Sequence, residues 1–99
     1  AGDSIINGVV FAELDPGART YFGVPPEISG IVVVEIDPLS AAGRAGIEEG
    51  DVILQIGREP IASLGQAVVA RDKIEGSKLL LRVLGWQGIK FTLLEEEID

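Results

Sequence analysis

Apolar residues along the 99-residue chain fall in short runs, which glycine, proline and aspartate separate. Several of these runs have the length and the β-branched content of strands. The predicted strands cover residues 8–14, 30–36, 51–56, 78–84 and 89–94. The run at 30–36 is apolar at successive positions, which predicts that both faces of that strand are covered. The last two runs flank Gly85-Trp86-Gln87-Gly88, which predicts a hairpin turn.

Helical patterns fall between the predicted strands. Short helical segments are predicted at 18–22 and 40–45, and the second has Ser40 as a candidate N-cap and Gly46 as a candidate end. Residues 57–60 combine glycine and proline in the manner of a turn. These short elements predict connections that pack small helices close to a sheet.

The longest helix is predicted at 64–74, with Ser63 as its N-cap and Gly76 at its end. At about 100° per residue, its apolar positions divide into two sides. One side suits packing on a sheet and holds Ala67, Ala70 and Ile74. The other side would face a groove and holds Leu64 and Val68.

The order of elements is strand, short helix, strand, short helix, strand, long helix and hairpin. This order favours one α+β domain over residues 1–99, with a small, mostly antiparallel sheet capped by helices. We expect frayed ends at 1–4 and 95–99, and the lack of Met indicates a piece of a longer precursor.

Charge and composition exclude several classes of function. Lys and Arg number 8 against 16 Asp and Glu, so a formal charge of −8 argues against binding to nucleic acid and to anionic membranes. The apolar runs are too short to insert into a membrane. The chain has no His and no Cys, which removes the usual general base, thiol nucleophile and soft metal ligands. We therefore expect no catalytic residue, no cofactor and no metal, and Asp15, Glu13 and Asp37 are not expected to form a cation site.

The densest signal is the stretch from Ser40 to Ile53, which reads SAAGRAGIEEGDVI. Its alanines are small enough for a short helix to lie close to a sheet. Gly46 and Gly50 stand where a positive φ is easiest, and Ile47 between them would enter the core. Asp51 can accept backbone N–H bonds in the turn before the next strand.

This stretch resembles the signature of PDZ domains in bacterial and organellar proteins. The resemblance implies a PDZ-like sandwich or partial barrel of five or six strands, capped by one long helix and one or two short ones. The order of elements is similar to the circularly permuted variety of the Deg (HtrA) serine proteases. Ile6-Asn7-Gly8-Val9 followed by Glu13-Leu14 is similar to the start of their second, C-terminal PDZ domain. C-terminal-processing and site-2 proteases also carry permuted PDZ domains, so they remain an alternative.

The resemblance implies a non-catalytic module that binds C-terminal or unfolded peptide segments by adding them as a strand to a sheet edge. The module would serve substrate recognition or regulation in a parent serine endopeptidase of the periplasm, the cell envelope or an organellar lumen. By resemblance, the carboxylate loop is Ile6-Asn7-Gly8-Val9, although Asn7-Gly8 could also be only a turn. The receiving strand would be Val9-Val10-Phe11-Ala12-Glu13. Its alternation predicts that Val9 and Phe11 share one face, which would meet the last side chain of the ligand, and Leu64 and Val68 would line the groove.

Two interpretations of Arg71 remain open. Its guanidinium could attract the ligand carboxylate at the end of the groove. It could instead cover the pocket with its stem and hold its charged end in water.

The resemblance also leaves a second function open. The domain could be a structural module through which the parent protease forms an oligomeric cage. Its partners would then be the protease domain of the same parent chain and further copies of the parent, rather than free peptides.

Overall fold

The structure, a computed structural model, describes residues 5–74, 76 and 78–95. This part of the chain contains six strands and three helices. The strands are β1 (Val9–Glu13), β2 (Ile31–Ile36), β3 (Val52–Ile56), β4 (Glu59–Pro60), β5 (Lys78–Gly85) and β6 (Gly88–Glu95). The helices are α1 (Pro16–Phe22), α2 (Ala41–Arg44) and α3 (Leu64–Asp72). The predicted order of elements is confirmed.

The strands form one open antiparallel sheet. Its order is β1-β2-β3-β5-β6, with the short β4 paired to β3 beside this path. Strands β1 and β6 are therefore the two edges of the sheet. The predicted α+β class and the mostly antiparallel sheet are confirmed, and the sheet stays open rather than closing into a barrel.

Apolar side chains pack on both faces of the sheet. The main cluster lies on the face that α2 and α3 cover, and it contains Ile31, Val33 and Ile53. A second cluster lies on the face that α1 covers, and it contains Val32 and Val52. Successive residues of β2 thus enter different clusters, which confirms that both faces of this strand are covered.

Serine side chains begin two of the helices as predicted. The Ser40 hydroxyl accepts a hydrogen bond from the Gly43 N–H at 3.1 Å, and the Ser63 hydroxyl accepts one from the Gln66 N–H at 3.1 Å. Each serine satisfies one of the N–H groups that a first helical turn leaves unpaired. Helix α3 ends at Asp72, two residues earlier than predicted, because the Ile74 N–H closes a tighter turn onto the Arg71 carbonyl.

Two predictions of local structure were wrong. Helix α1 begins at Pro16 rather than Ala18, because the Asp15 carboxylate accepts the Ala18 N–H at 2.8 Å and proline suits the first helical position. Residues 57–60 are not only a turn, since Glu59 and Pro60 pair with Ile56 and Gln55 as β4.

No helix in the described part of the chain has the length and apolar character needed to cross a membrane.

Candidate functional site

Edge strand β1 lies beside helix α3. Among the described residues, β1 pairs only with β2, so its other edge is open. Helix α3 packs against β1 through the main cluster, to which Val9 belongs and against which Phe11 packs. Val10 is exposed, so Val9 and Phe11 share one face of the strand, as predicted. An open strand edge thus lies beside a helix.

Helix α3 has two exposed flanks, and the structure identifies which one faces away from β1. A cleft of about 290 Å³ lies between α3 and β4, and it is lined by Gln66 and Val69 of the helix and by Lys73, which follows the helix. On this flank the Lys73 ammonium is 3.0 Å from the Glu59 carboxylate. The helical period therefore places Leu64, Val68 and Arg71 on the opposite flank, toward β1.

A tight turn precedes β1 at the predicted carboxylate loop. The Val9 N–H donates to the Ile6 carbonyl at 3.2 Å across Asn7 and Gly8, and Gly8 has a φ of 81°. The Gly8 carbonyl accepts the Asp37 N–H at 2.8 Å, while its N–H donates no hydrogen bond within the described residues. The Ile6 side chain is fully buried in the main cluster, so the turn is anchored to the core.

The other end of the groove carries a contact that the sequence did not predict. The two Glu13 carboxylate oxygens lie 3.2 and 3.3 Å from the Leu64 nitrogen, whose N–H donates to them. Leu64 is at the start of α3, where helix N–H groups have no partner within the helix. The acidic side chain at the end of β1 was the available signal for this bond. The sequence did not identify Leu64 as its donor, because the two residues are 51 positions apart. Glu13 thus ties the end of the edge strand to the start of the helix.

The signature stretch folds as its residues indicate. Gly46 and Gly50 have φ values of 95° and 90°, and Ile47 between them is buried in the main cluster. The Asp51 carboxylate accepts the Glu48 N–H at 3.0 Å. Within the described residues, no group of acidic side chains is placed to hold a metal ion, and Glu13, Asp15 and Asp37 form no such group.

Replacing Asp51 by asparagine is expected to change how stability depends on pH. Burial is the main cause that raises the pKa of the Asp51 carboxyl above its ordinary value of 3.8, although the hydrogen bond from Glu48 and the charge of Lys90 act in the opposite direction. The folded chain therefore holds this proton more tightly than the unfolded chain. The stability contributed by protonation is complete below pH 3.8 and is lost as the pH rises through the raised pKa.

The free energy of unfolding of the wild-type chain, relative to D51N, should thus fall as the pH rises from 3.8 and then become level. Urea denaturation of both chains at a series of values from about pH 3 to about pH 7 measures this difference. A difference that grows with pH would instead indicate a lowered pKa.

Comparison with known proteins places this geometry in a family. The model of the PDZ domain family matches residues 8–84. A probable periplasmic serine endoprotease DegP-like of Chlamydia pneumoniae is 28% identical over 90 residues, which make up 91% of this chain and 18% of that protein. Serine endoprotease DegS of Haemophilus influenzae is 36% identical over 72 residues, with 67% of this chain and 21% of that protein covered. The chain thus spans about a fifth of the length of these relatives.

Solved structures agree with this match. The HtrA3 PDZ domain bound to the phage-derived ligand FGRWV superposes with a TM-score of 0.75 and 27% identity, over 93% of this chain and 84% of that one. The HtrA-type protease AlgW with a decapeptide gives a TM-score of 0.73 and 27% identity, over 89% of this chain and 27% of that one. The chain therefore belongs to the PDZ domain family, within which it is similar to the domains of Deg/HtrA serine proteases.

Proposed function

We propose that the domain binds the C-terminal end of a peptide by strand addition in the groove between β1 and α3. The observation that carries this proposal is the open edge of β1 beside a helix flank with apolar side chains. A peptide that pairs with this edge satisfies the outward N–H and C=O groups of β1 whatever its sequence. The HtrA3 PDZ domain with its bound ligand and the protease AlgW with a decapeptide, to which this chain is similar, support the proposal.

The two ends of the groove suggest the direction in which the peptide lies. The turn at Asn7-Gly8 supplies the Gly8 N–H to an anion, so the terminal carboxylate belongs at this end. The peptide then runs antiparallel to β1, back toward Glu13. Five residues of β1 at about 3.3 Å each give a groove of roughly 16 Å, which accommodates about four or five ligand residues.

Side chains on the two walls suggest the preference of the groove. Val9 and Phe11 would contact the last side chain of the peptide, and Val10 contributes its backbone. Leu64 and Val68 would contact an apolar residue two positions before the end. Half-buried Arg71 lies in the last turn of α3, and because α3 begins beside Glu13, Arg71 belongs toward the carboxylate end.

Beyond the domain itself, we propose that the parent is a Deg/HtrA-type serine endopeptidase of the periplasm or cell envelope. The domain would be its second PDZ module, and it would capture C-terminal or unfolded segments of substrates for recognition or regulation. The names of the Chlamydia and Haemophilus relatives support this context.

Val68→Glu is expected to weaken binding of a peptide with a free, apolar C-terminus about tenfold, from a dissociation constant in the micromolar range. The substitution places a charge in the apolar wall of the groove and close to the ligand carboxylate. Val68 is 43% exposed, so the fold should tolerate the change. Fluorescence polarisation with a labelled pentapeptide measures the affinity.

Val69→Glu is the matched control, because Val69 is the next residue, is 55% exposed and lies on the opposite flank of α3. Its affinity for the peptide should stay within about twofold of the wild type. Amidation of the peptide C-terminus should abolish binding if the Asn7-Gly8 turn receives the carboxylate. Equal losses in V68E and V69E, or full binding of the amidated peptide, would refute the proposed groove.

A further inference from the structure

The terminal hairpin exposes an apolar surface on the face of the sheet that α1 covers elsewhere. Helix α1 packs over β1 to β3. Leu84 of β5 also packs against the second cluster, but no residue of β6 does. Alternation along β5 and β6 places eight side chains on this side of the hairpin, which we call the hairpin face, and α1 leaves all of them but Leu84 uncovered. They are Lys78, Leu80, Arg82, Leu84, Ile89, Phe91, Leu93 and Glu95.

The apolar side chains of the hairpin face are well exposed. Phe91 is 67% exposed, Leu93 60%, Ile89 49% and Leu80 44%. With full areas of roughly 150–250 Å² per side chain, their exposed parts amount to on the order of 400 Å². The largest apolar patch of a soluble monomer is about 300–600 Å² and is often functional. The hairpin face thus has the size of an interaction surface.

The register of the hairpin makes this face complementary to itself. Across the two strands, Lys78 is paired with Glu95, Leu80 with Leu93, Arg82 with Phe91 and Leu84 with Ile89. Each pair joins side chains that attract one another, either by opposite charge, by apolar contact or by a cation over a ring. Consider a two-fold axis that lies in the interface, parallel to β5 and β6 and above the line midway between them. This axis would place each residue of one copy opposite, in the second copy, the residue with which it is paired across the hairpin.

We propose that the hairpin face is the interface of a two-fold symmetric dimer of this domain. In the dimer, Lys78 of one copy faces Glu95 of the other, and Leu80 faces Leu93. The two sheets pack face to face about 10 Å apart with their strands about 30° from parallel, as twisted sheets do.

Arg82 at the centre of the hairpin face fits this arrangement. Its guanidinium carbon is 6.0 Å from the centre of the Phe91 ring within the same copy. Its Nε is buried and has no hydrogen-bond partner among the described residues. In the dimer the guanidinium lies between its own Phe91 and that of the second copy, where the aromatic faces replace the water that the interface excludes.

Charge also favours a second copy at this surface. The chain as a whole carries a formal charge of −8, but the hairpin face holds two basic residues and a single acidic one. Two copies that meet here bring together faces that are not acidic, with two complementary ion pairs at the rim. Repulsion between the remaining acidic surfaces is reduced by distance and by salt.

The expected dimer is weak and is separate from the peptide groove. Both copies together would bury roughly 1,000 Å², which is at the low end for specific interfaces, so we expect weak association with a dissociation constant on the order of 100 μM. The hairpin face includes the β6 edge of the sheet, whereas the groove uses the β1 edge. Dimerisation and peptide binding can therefore be tested independently.

Sedimentation velocity on the 99-residue chain, at loads from about 10 μM to about 1 mM, tests the dimer. The average mass of the wild type should rise from 10.4 kDa toward twice that value. Phe91→Glu should raise the dissociation constant at least tenfold, while Val69→Glu, at another exposed apolar position on α3, should leave it unchanged. A wild-type chain that stays monomeric, or F91E that associates like the wild type, would overturn the proposal.

Two charge variants test the two-fold arrangement itself. K78E alone and E95K alone each place like charges opposite one another in the dimer, so each should self-associate less than the wild type. A mixture of the two chains restores both ion pairs and should associate more strongly than either chain alone. A mixture that associates no better than its components would overturn this arrangement. Peptide affinity of every variant should equal that of the wild type, so loss of the dimer is distinguishable from failure of the groove.

Discussion

Gly8→Ala is expected to abolish measurable peptide binding and to lower the free energy of unfolding by about 3 kcal/mol. Gly8 has a φ of 81°, where a side chain costs about 1–2 kcal/mol. A Cβ at this position would also overlap the Ser40 Cβ and lie 2.8 Å from the Ser40 hydroxyl. Ser40 caps helix α2 through that hydroxyl, so it cannot move away without loss of the cap.

The effect on binding follows from the same overlap. The Gly8 N–H is the donor that we assign to the ligand carboxylate, and the strand that receives the peptide starts at the next residue. A shift of the turn away from Ser40 displaces both. Urea denaturation gives the change in stability, and polarisation of a labelled pentapeptide gives the change in affinity.

Gly23→Ala is the control that separates the two causes. Gly23 has a φ of 69°, similar to that of Gly8, but an added Cβ would meet no heavy atom within 4 Å. We expect a cost of about 1–2 kcal/mol from the backbone alone and an unchanged affinity for the peptide. If G8A and G23A lose the same stability and both bind peptide, contact with Ser40 does not constrain the turn.

Gly30→Ala is expected to destabilise the fold by about 2–3 kcal/mol or more without any positive φ being involved. Gly30 is buried directly before β2, and an added Cβ would overlap the Ile53 carbonyl oxygen and lie 2.8 Å from a Val52 methyl. The carbonyl belongs to the centre of the sheet, so relief requires β2 and β3 to separate.

Gly17→Ala adds the same methyl group, but it is expected to raise the free energy of unfolding rather than to lower it. Gly17 lies in helix α1, where its Cβ would make only an ordinary contact with the Asp15 carboxylate at 3.5 Å. Alanine should stabilise the chain there by about 0.5–1 kcal/mol, because glycine loses more backbone entropy in a helix. Thermal and urea unfolding of both variants measure the two effects, and a G30A chain as stable as the wild type would show that the two strands can separate at little cost.

The sequence predicts those features whose cause is local. The apolar run of β2 and the alanine face of α3 follow from periodicity, and the serine caps follow from side-chain chemistry at helix starts. The start of α1 was missed because Asp15-Pro16-Gly17 satisfies the rules for a turn as well as those for a capped helix. Local chemistry does not separate these outcomes when packing on the sheet decides between them.

Features that depend on distant parts of the chain could not be predicted. The bond from the Leu64 N–H to Glu13 requires knowledge of which strand lies beside α3. The exposure of Leu80 is a similar case, because its neighbours Leu79 and Leu81 are fully buried and the run reads as uniformly apolar. Only the extent of α1 over the sheet determines which of these side chains meets solvent.

The link between Glu13 and the start of α3 has a consequence for what the domain can distinguish. A peptide bound as we propose, with its carboxylate at Gly8, would meet this link after about four or five residues, and its upstream part would turn outward into solvent. Residues upstream of that exit would make no contact with the domain, so proteins of unrelated sequence would bind alike once they present the same short terminus. Selection among them would then depend on how often each protein exposes its C-terminus, which is a property of its own folding rather than of this domain.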